Sequence, residues 1–164
     1  MFRKLKIYLD TSVISFLYAD DAPDKRDATV EFFDDFIANH KYEVYISDFV
    51  IAEIEGNTNQ VTKQKMLDAV AQYDLDFLPL TNQGELDDLS TKYIQEGIIP
   101  AKKLIDAYHI AVSVTNQINI LVSWNYKHLA NVNRERKINI VNLSSGYLNQ
   151  IRIITPLELM DYEY

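Results

Sequence analysis

Residues 101–125 read AKKLIDAYHIAVSVTNQINILVSWN, and they decide the architecture. Pro100 precedes a helix from about residue 101 to 115, and INILVS at 118–123 is the clearest strand in the chain. One acid, Asp106, lies about a turn into that helix, within a run otherwise suited to a core. A polar residue, Asn125, follows the strand. The N-terminal region has a related pattern: LKIYL at 5–9 reads as a short buried strand, ended by Asp10-Thr11-Ser12.

Between and beyond these two stretches, helices and strands alternate. A short helix follows Asp10 through Tyr18. Residues 25–39 place Val30, Phe33, Phe36 and Ile37 on a helical stripe, with Phe32, Phe33 and Phe36 expected in the core. EVYI at 43–46 is the second strand. Ser47 or Asp48 then caps a helix containing Val50, Ile51 and Ile54, which Gly56 ends. Residues 60–72 predict a helix with Val61, Met66 (or Lys65), Ala69 and Val70 inward. Asp76–Leu80 reads as a strand stopped by Pro79 and Thr81, and 83–96 as a helix stopped by Gly97. Asn139–Val141 reads as a weak strand or loop and 143–149 as a helical turn. Ile151–Ile154 is a late edge strand, and Pro156 opens a terminal helix. Strands separated by such helices pair in parallel, giving an α/β fold with a mainly parallel central sheet. Sites in open sheets of this kind form beyond the carboxyl ends of the strands, where Asp10 and Asn125 stand.

A length of 164 residues suits one domain, and no repeat or linker divides it, so residues 1–164 are read as a unit. The apolar fraction is 48%, but no apolar run approaches a membrane span, and no signal-peptide core precedes the first strand. The expectation is a soluble, cytoplasmic protein with no membrane association. Cysteine is absent, so any metal must be held by oxygen or by the three histidines. A net charge of −8 argues against a broad basic face for nucleic acid, but not against meeting phosphate through a bound cation. Acids crowd residues 20–35 and 85–88 and recur at Glu158, Asp161 and Glu163. Bases gather at Arg3–Lys6, Lys102–Lys103 and Arg134–Lys137.

Three acids stand out by their setting. Asp10 follows the first strand directly. Glu53 lies inside the apolar helix FVIAEIEG, and Asp106 lies in KLIDAYHIAVS. A carboxylate among core residues needs a partner, because burying it alone is costly. A shared divalent cation would satisfy all three, and oxygen ligation favours magnesium or manganese over zinc. Each acid also has an ordinary reading: Asp10 as a helix cap, Glu53 as a solvated helix residue, Asp106 as a first-turn acid favoured by the helix dipole. Their combined placement carries the argument.

The blocks IYLDTSVIS, SDFVIAEIE, LIDAYHIAVS and LVSWNYKHLAN, in this order, resemble the PIN-domain family, which includes the VapC-type toxins of bacterial toxin–antitoxin systems. The closing stretch KINIVNLSSGY…IRIITPLEL resembles one branch of that family. The resemblance implies a three-layer α/β/α sandwich and a ribonuclease that uses Mg2+ or Mn2+ held by Asp10, Glu53 and Asp106. It also implies an antitoxin partner and a homodimer. Family members place a fourth acid after the late strand in a Thr-x-Asp pattern, and here Ser123-Trp124-Asn125 departs from it. Asn125 retains an amide oxygen but not the charge, so it is expected as an auxiliary catalytic residue or as the cap of a short helix. Thr11, Ser123, Trp124, Lys127 and His128 are the residues expected to meet RNA: Ser123 through its hydroxyl, Trp124 by stacking on a base unless it is a core lid, and the basic pair by steering phosphate. His109, one turn after Asp106, reads as an ordinary helix-face residue, with phosphate contact as the less favoured option.

Other folds with an Asp after the first strand fail on residues. A haloacid-dehalogenase-type phosphatase needs a second Asp where Ser12 stands, and a receiver domain needs an acid pair near the first strand. A dinucleotide site needs Gly-x-Gly there. The alternative that survives is a PIN-fold protein with weak or no catalysis, acting as a nucleic-acid-binding or regulatory module.

Overall fold

The computed structural model describes residues 3–80 and 82–162. Five parallel strands form one sheet in the order β3-β2-β1-β4-β5, with β1 Lys6–Leu9, β2 Glu43–Ile46, β3 Asp76–Phe77, β4 Ile120–Val122 and β5 Arg152–Ile154. Helices flank the sheet, the α/β/α arrangement expected from the sequence: α1 Thr11–Ser15, α2 Pro23–Glu31, α3 Asp48–Glu55, α4 Gln60–Gln72, α5 Gln83–Gln95, α6 Leu104–Thr115, α7 Val132–Ser144 and α8 Pro156–Asp161. Ile7, Tyr8 and Leu9 of β1 and Ile120, Leu121 and Val122 of β4 are all buried, as strands covered on both faces must be.

The chain runs from β1 to β2 and β3 on one side and returns to the other side of β1 for β4 and β5. Beside β1, therefore, strand order reverses, and connections leave the two carboxyl ends in opposite directions. This opens the crevice in which sheets of this class bind ligands. Leu9 pairs with Val122 across it, and the Asp10 amide donates to the Val122 carbonyl.

Local chemistry explains most element ends. The Ser47 hydroxyl accepts from the Phe49 amide to cap α3, and Asn59 accepts from Val61 and Thr62 to cap α4. Thr155 and Glu158 form a reciprocal capping box on α8. Gly97, at φ 72°, ends the α5 region in a left-handed turn that a side chain would strain.

Several expectations need correction. Residues 139–141 are not a strand: they lie in α7, which Asn131 caps by accepting from the Arg134 amide, and which runs through to Ser144. The alternation of Ile138 and Ile140 misled because only Ile138 is buried, together with Val141 on the same helical face. The Asn139 carboxamide also bonds Ile151 in both directions, imitating a strand neighbour just before β5. The strand at Asp76–Leu80 shrinks to Asp76–Phe77, an exposed edge, and its proposed stop at Thr81 lies outside the described residues, as does Glu163 of the acidic tail. The helix over 25–39 divides into α2 and a π-helical turn, Phe32–Ile37. The wider turn buries Phe32, Phe33 and Ile37, while Val30 faces out. Val61, expected inward, is exposed at the first turn of α4, whereas Met66 and Ala69 are buried.

Candidate functional site

Asp10 occupies the residue between β1 and α1 and is buried. It does not cap α1 with its side chain. Instead both carboxylate oxygens accept hydroxyl hydrogen bonds, Oδ1 from Ser12 at 2.5 Å and Oδ2 from Ser123 at 2.5 Å. Those hydroxyls in turn accept backbone amides, Ser12 Oγ from Trp124 and Ser123 Oγ from Asn125, each at 3.0 Å. The turn after β4 is thereby fastened to the turn after β1. Burial pushes the Asp10 carboxyl above its usual range and Glu53's charge adds to this, while His109 and the two hydroxyls oppose it.

Glu53 reaches the same crevice from α3. Its Oε1 accepts from the Thr11 hydroxyl at 2.5 Å and lies 2.6 Å from His109 Nε2. Partial burial works against its charge. The His109 contact, the Thr11 hydroxyl and Lys103 outweigh burial and hold the carboxyl below its ordinary value. Asp106, in the first turn of α6, is half-buried, and its carboxyl is pushed up to about 6 by burial first and then by the charges of Asp10 and Glu53. His109 and Lys103 lower it, but not enough. The three acids therefore stand within electrostatic reach of one another, each perturbed by at least one of the others or by His109 between them.

Proximity is not yet coordination. Among the described residues, no three His, Asp or Glu side chains are assembled closely enough to hold a metal ion as they stand. The donor chemistry fits a hard divalent cation: oxygen ligands from three elements, with Asp106 destabilised as an anion by its two neighbours. Collecting them around one ion requires side-chain movement, because both Asp10 oxygens and Glu53 Oε1 are engaged with protein donors.

Asn125 lies beside Asp106, with Nδ2 3.5 Å from Asp106 Oδ2. Its Oδ1 accepts from the His128 amide at 3.0 Å, so the oxygen serves the turn and the crevice receives the amide donor. No short helix follows Asn125 for it to cap: residues 126–129 form a turn, and the Oδ1 contact to His128 closes that turn.

The residues expected to meet RNA divide. Ser123 is fully buried and spends its hydroxyl on Asp10, and Thr11 spends its own on Glu53. Trp124, expected to stack on a base or to act as a core lid, is 3% exposed, donates Nε1–H to Thr29 at 2.9 Å and packs beside Phe16. Stacking on RNA is corrected to the lid role, because the ring is enclosed. Lys127 is exposed and His128 half-buried. Burial, then the charges of Arg134, Lys127, Lys103 and Lys102, hold the His128 ring below its usual pKa. Those cations form one basic rim, joining the start of α6 to the turn after β4.

Two features escaped the sequence. Tyr126, 46% exposed, lies over Trp124 with Lys25 near its ring, and Phe49 stacks on Tyr108 at 4.9 Å beside His109. His109 is no helix-face residue: it is buried, with both ring nitrogens engaged. An imidazole within the apolar run YHIAV, one turn from Asp106, was the available signal, since a buried ring must find partners.

The PIN domain model matches residues 7–135, which include every one of these side chains. The chain belongs to the PIN domain family. PIN domains are generally nucleases and generally use divalent metal ions. No curated protein matches the sequence significantly. Among solved structures, the chain is similar to the crystal structure of VapBC2 from Rickettsia felis bound to a DNA fragment from their promoter. The TM-score is 0.56 and the identity 13%, over 92% of this chain and 98% of that one. At that identity the likeness concerns the PIN fold. No helix among the described residues is long and apolar enough to cross a membrane.

Proposed function

We propose that this PIN domain is a metal-dependent endoribonuclease, the toxin of a type II toxin–antitoxin pair, with Asp10, Glu53 and Asp106 holding Mg2+ or Mn2+. The observation that carries this reading is the convergence of Asp106 with carboxylates from the end of β1 and from α3, its own carboxyl raised to about 6 by burial first and then by the charges of Asp10 and Glu53. A bound divalent ion would offset that repulsion, polarise a nonbridging phosphate oxygen and acidify water. Asp106 joins Asp10 and Glu53 in holding that ion. Asn125 Nδ2 offers a donor beside it, and Lys127, His128, Lys102 and Lys103 supply positive charge to draw the RNA backbone to the crevice. Thr11 and Ser123 act by holding Glu53 and Asp10.

Toxin assignment rests on the VapC-like sequence blocks together with the fold shared with the VapBC2 structure. An antitoxin would then cover the acid crevice, in the cytoplasm. A homodimer accords with Val132, Ile140 and Leu143, exposed apolar residues along one face of α7, and with Leu148 beyond it. The test is incubation with total RNA and defined oligonucleotides, with manganese and with chelator, beside Asp10→Asn. Manganese-dependent cleavage that Asp10→Asn and Asp106→Asn abolish supports the reading; cleavage by both variants at the native rate overturns it.

A second reading is a PIN-fold binding or regulatory protein with attenuated catalysis. Asn125 in place of an acid and the unassembled ligand set favour it. Its signature is RNA binding without cleavage at any manganese concentration.

A further inference from the structure

The acid crevice contains a closed hydrogen-bond circuit. It starts at the N-cap of α3, where Ser47 Oγ accepts from the Phe49 amide at 3.3 Å. From Ser47 Oγ it passes to Tyr8 Oη at 2.7 Å, from Tyr8 to His109 Nδ1 at 2.6 Å, and from His109 Nε2 to Glu53 Oε1 at 2.6 Å. Glu53 is on α3 again, so the circuit leaves that helix, crosses β1 and α6, and returns to it. Tyr8, Ser47 and His109 are all buried.

One proton of the circuit is fixed by chemistry. An ionised Glu53 is only an acceptor, and so Nε2 must carry a hydrogen. In the neutral ring Nδ1 accepts the hydrogen bond of the Tyr8 hydroxyl and Tyr8 Oη accepts from Ser47; in the charged ring Nδ1–H donates to Tyr8 Oη, and in both states Nε2–H faces Glu53. Thr11 also donates to Oε1, so both protein hydrogen bonds fall on one oxygen of Glu53.

We infer that His109 is a positioning residue for Glu53: its Nε2–H, with the ring held at Nδ1 by Tyr8 and Ser47, holds Oε1 and leaves Oε2 as the oxygen offered to a cation. This rests on the reading of Glu53 as an ion-binding carboxylate. Groups that orient a metal-binding carboxylate typically contribute 10–100-fold to affinity (about 10–100-fold on removal).

The test combines two readouts on the full chain. Manganese affinity is measured by the free Mn2+ resonance signal for wild type, His109→Phe, Tyr8→Phe and each of these combined with Glu53→Gln. Long-range proton–nitrogen spectra report which ring nitrogen of His109 is protonated. Expected are a protonated Nε2 whose resonance moves in Glu53→Gln, affinity about tenfold weaker in Tyr8→Phe and at least that in His109→Phe, and no further loss from either in the Glu53→Gln background. Tyr8→Phe keeps the ring volume and serves if His109→Phe does not fold. A bare Nε2 overturns the inference. So does a variant that melts earlier yet binds manganese like wild type, which would mark His109 as packing alone. A wild type that binds no manganese, with Nε2 still protonated and responsive to Glu53, refutes the metal reading while upholding the contact.

Discussion

Ser123 Oγ donates to Asp10 Oδ2 at 2.5 Å across the boundary between β4 and β1, and the same oxygen accepts the Asn125 amide. One hydroxyl therefore both stabilises a buried carboxylate and shapes the turn that carries Asn125. Ser123→Ala removes both contacts and leaves Asp10 with Ser12 alone. Hydrogen bonds to charged groups contribute roughly 1.5–3 kcal/mol, so urea unfolding at neutral pH should report a loss of about that size. Ser123→Thr, which keeps the hydroxyl, should recover most of it. An alanine variant as stable as wild type would show that the Ser123 hydroxyl adds nothing net to holding Asp10 or the turn.

Asp106 gives the apo protein a pH dependence of defined sign. Its carboxyl is raised from the usual 3.8 to about 6, so between those values the folded state holds a proton that the unfolded chain has released. Stability must then fall as pH rises from about 4 to about 6, and the penalty is complete above it. Asp10, raised by burial, acts in the same direction. Thermal unfolding in chelator should show the decline, and Asp106→Asn should flatten it and raise the midpoint at pH 7. Manganese should reverse the decline above pH 6 in wild type. If Asp106→Asn leaves the profile unchanged, the acids are not coupled as described.

Much of this site was legible because its parts are marked by local chemistry. Asp10 ends a strand, Glu53 follows the Ser47 cap, and Asp106 opens a helix; each interrupts an apolar run in which a carboxylate has no local reason to be. β1, β2 and α4 were equally plain, since caps and turn residues bound them. What could not be read depends on distant neighbours. The β-branched run at 138–141 is helical because Asn131 starts α7 and Ile138 and Val141 face the core, an override of local preference. The role of His109 depends on Tyr8, 101 residues earlier, and no spacing rule exposes that pair.

Trp124 is the only tryptophan, and its burial makes it a probe. With the indole N–H bonded to Thr29 and the ring beside Phe16, emission should be blue-shifted and insensitive to added single-stranded RNA. Trp124→Phe should lower stability by about 1–3 kcal/mol through the lost Nε1–H bond to Thr29 and lost packing, without changing RNA affinity. Tyr126→Ala, which alters an exposed ring at the same turn, should instead weaken RNA binding. Strong quenching of Trp124 by RNA would mean that the lid opens and the ring stacks.

Asn125 tests how far the site departs from a four-acid arrangement. Its Oδ1 caps the turn through the His128 amide, a role an Asp oxygen can keep, so Asn125→Asp should fold. The other oxygen would then replace the Nδ2 donor near Asp106 Oδ2 and set two carboxylates against each other. Without metal this must push the Asp106 carboxyl higher still and lower the midpoint at pH 7. With manganese the added charge should raise affinity, so the stabilisation by the ion should be larger than in wild type by more than the initial loss. Cleavage of RNA should rise in parallel if the native site is attenuated. Should the variant lose stability in chelator yet gain nothing from manganese, Asn125 would border the acids without sharing their ion, and three ligands would be the full protein set.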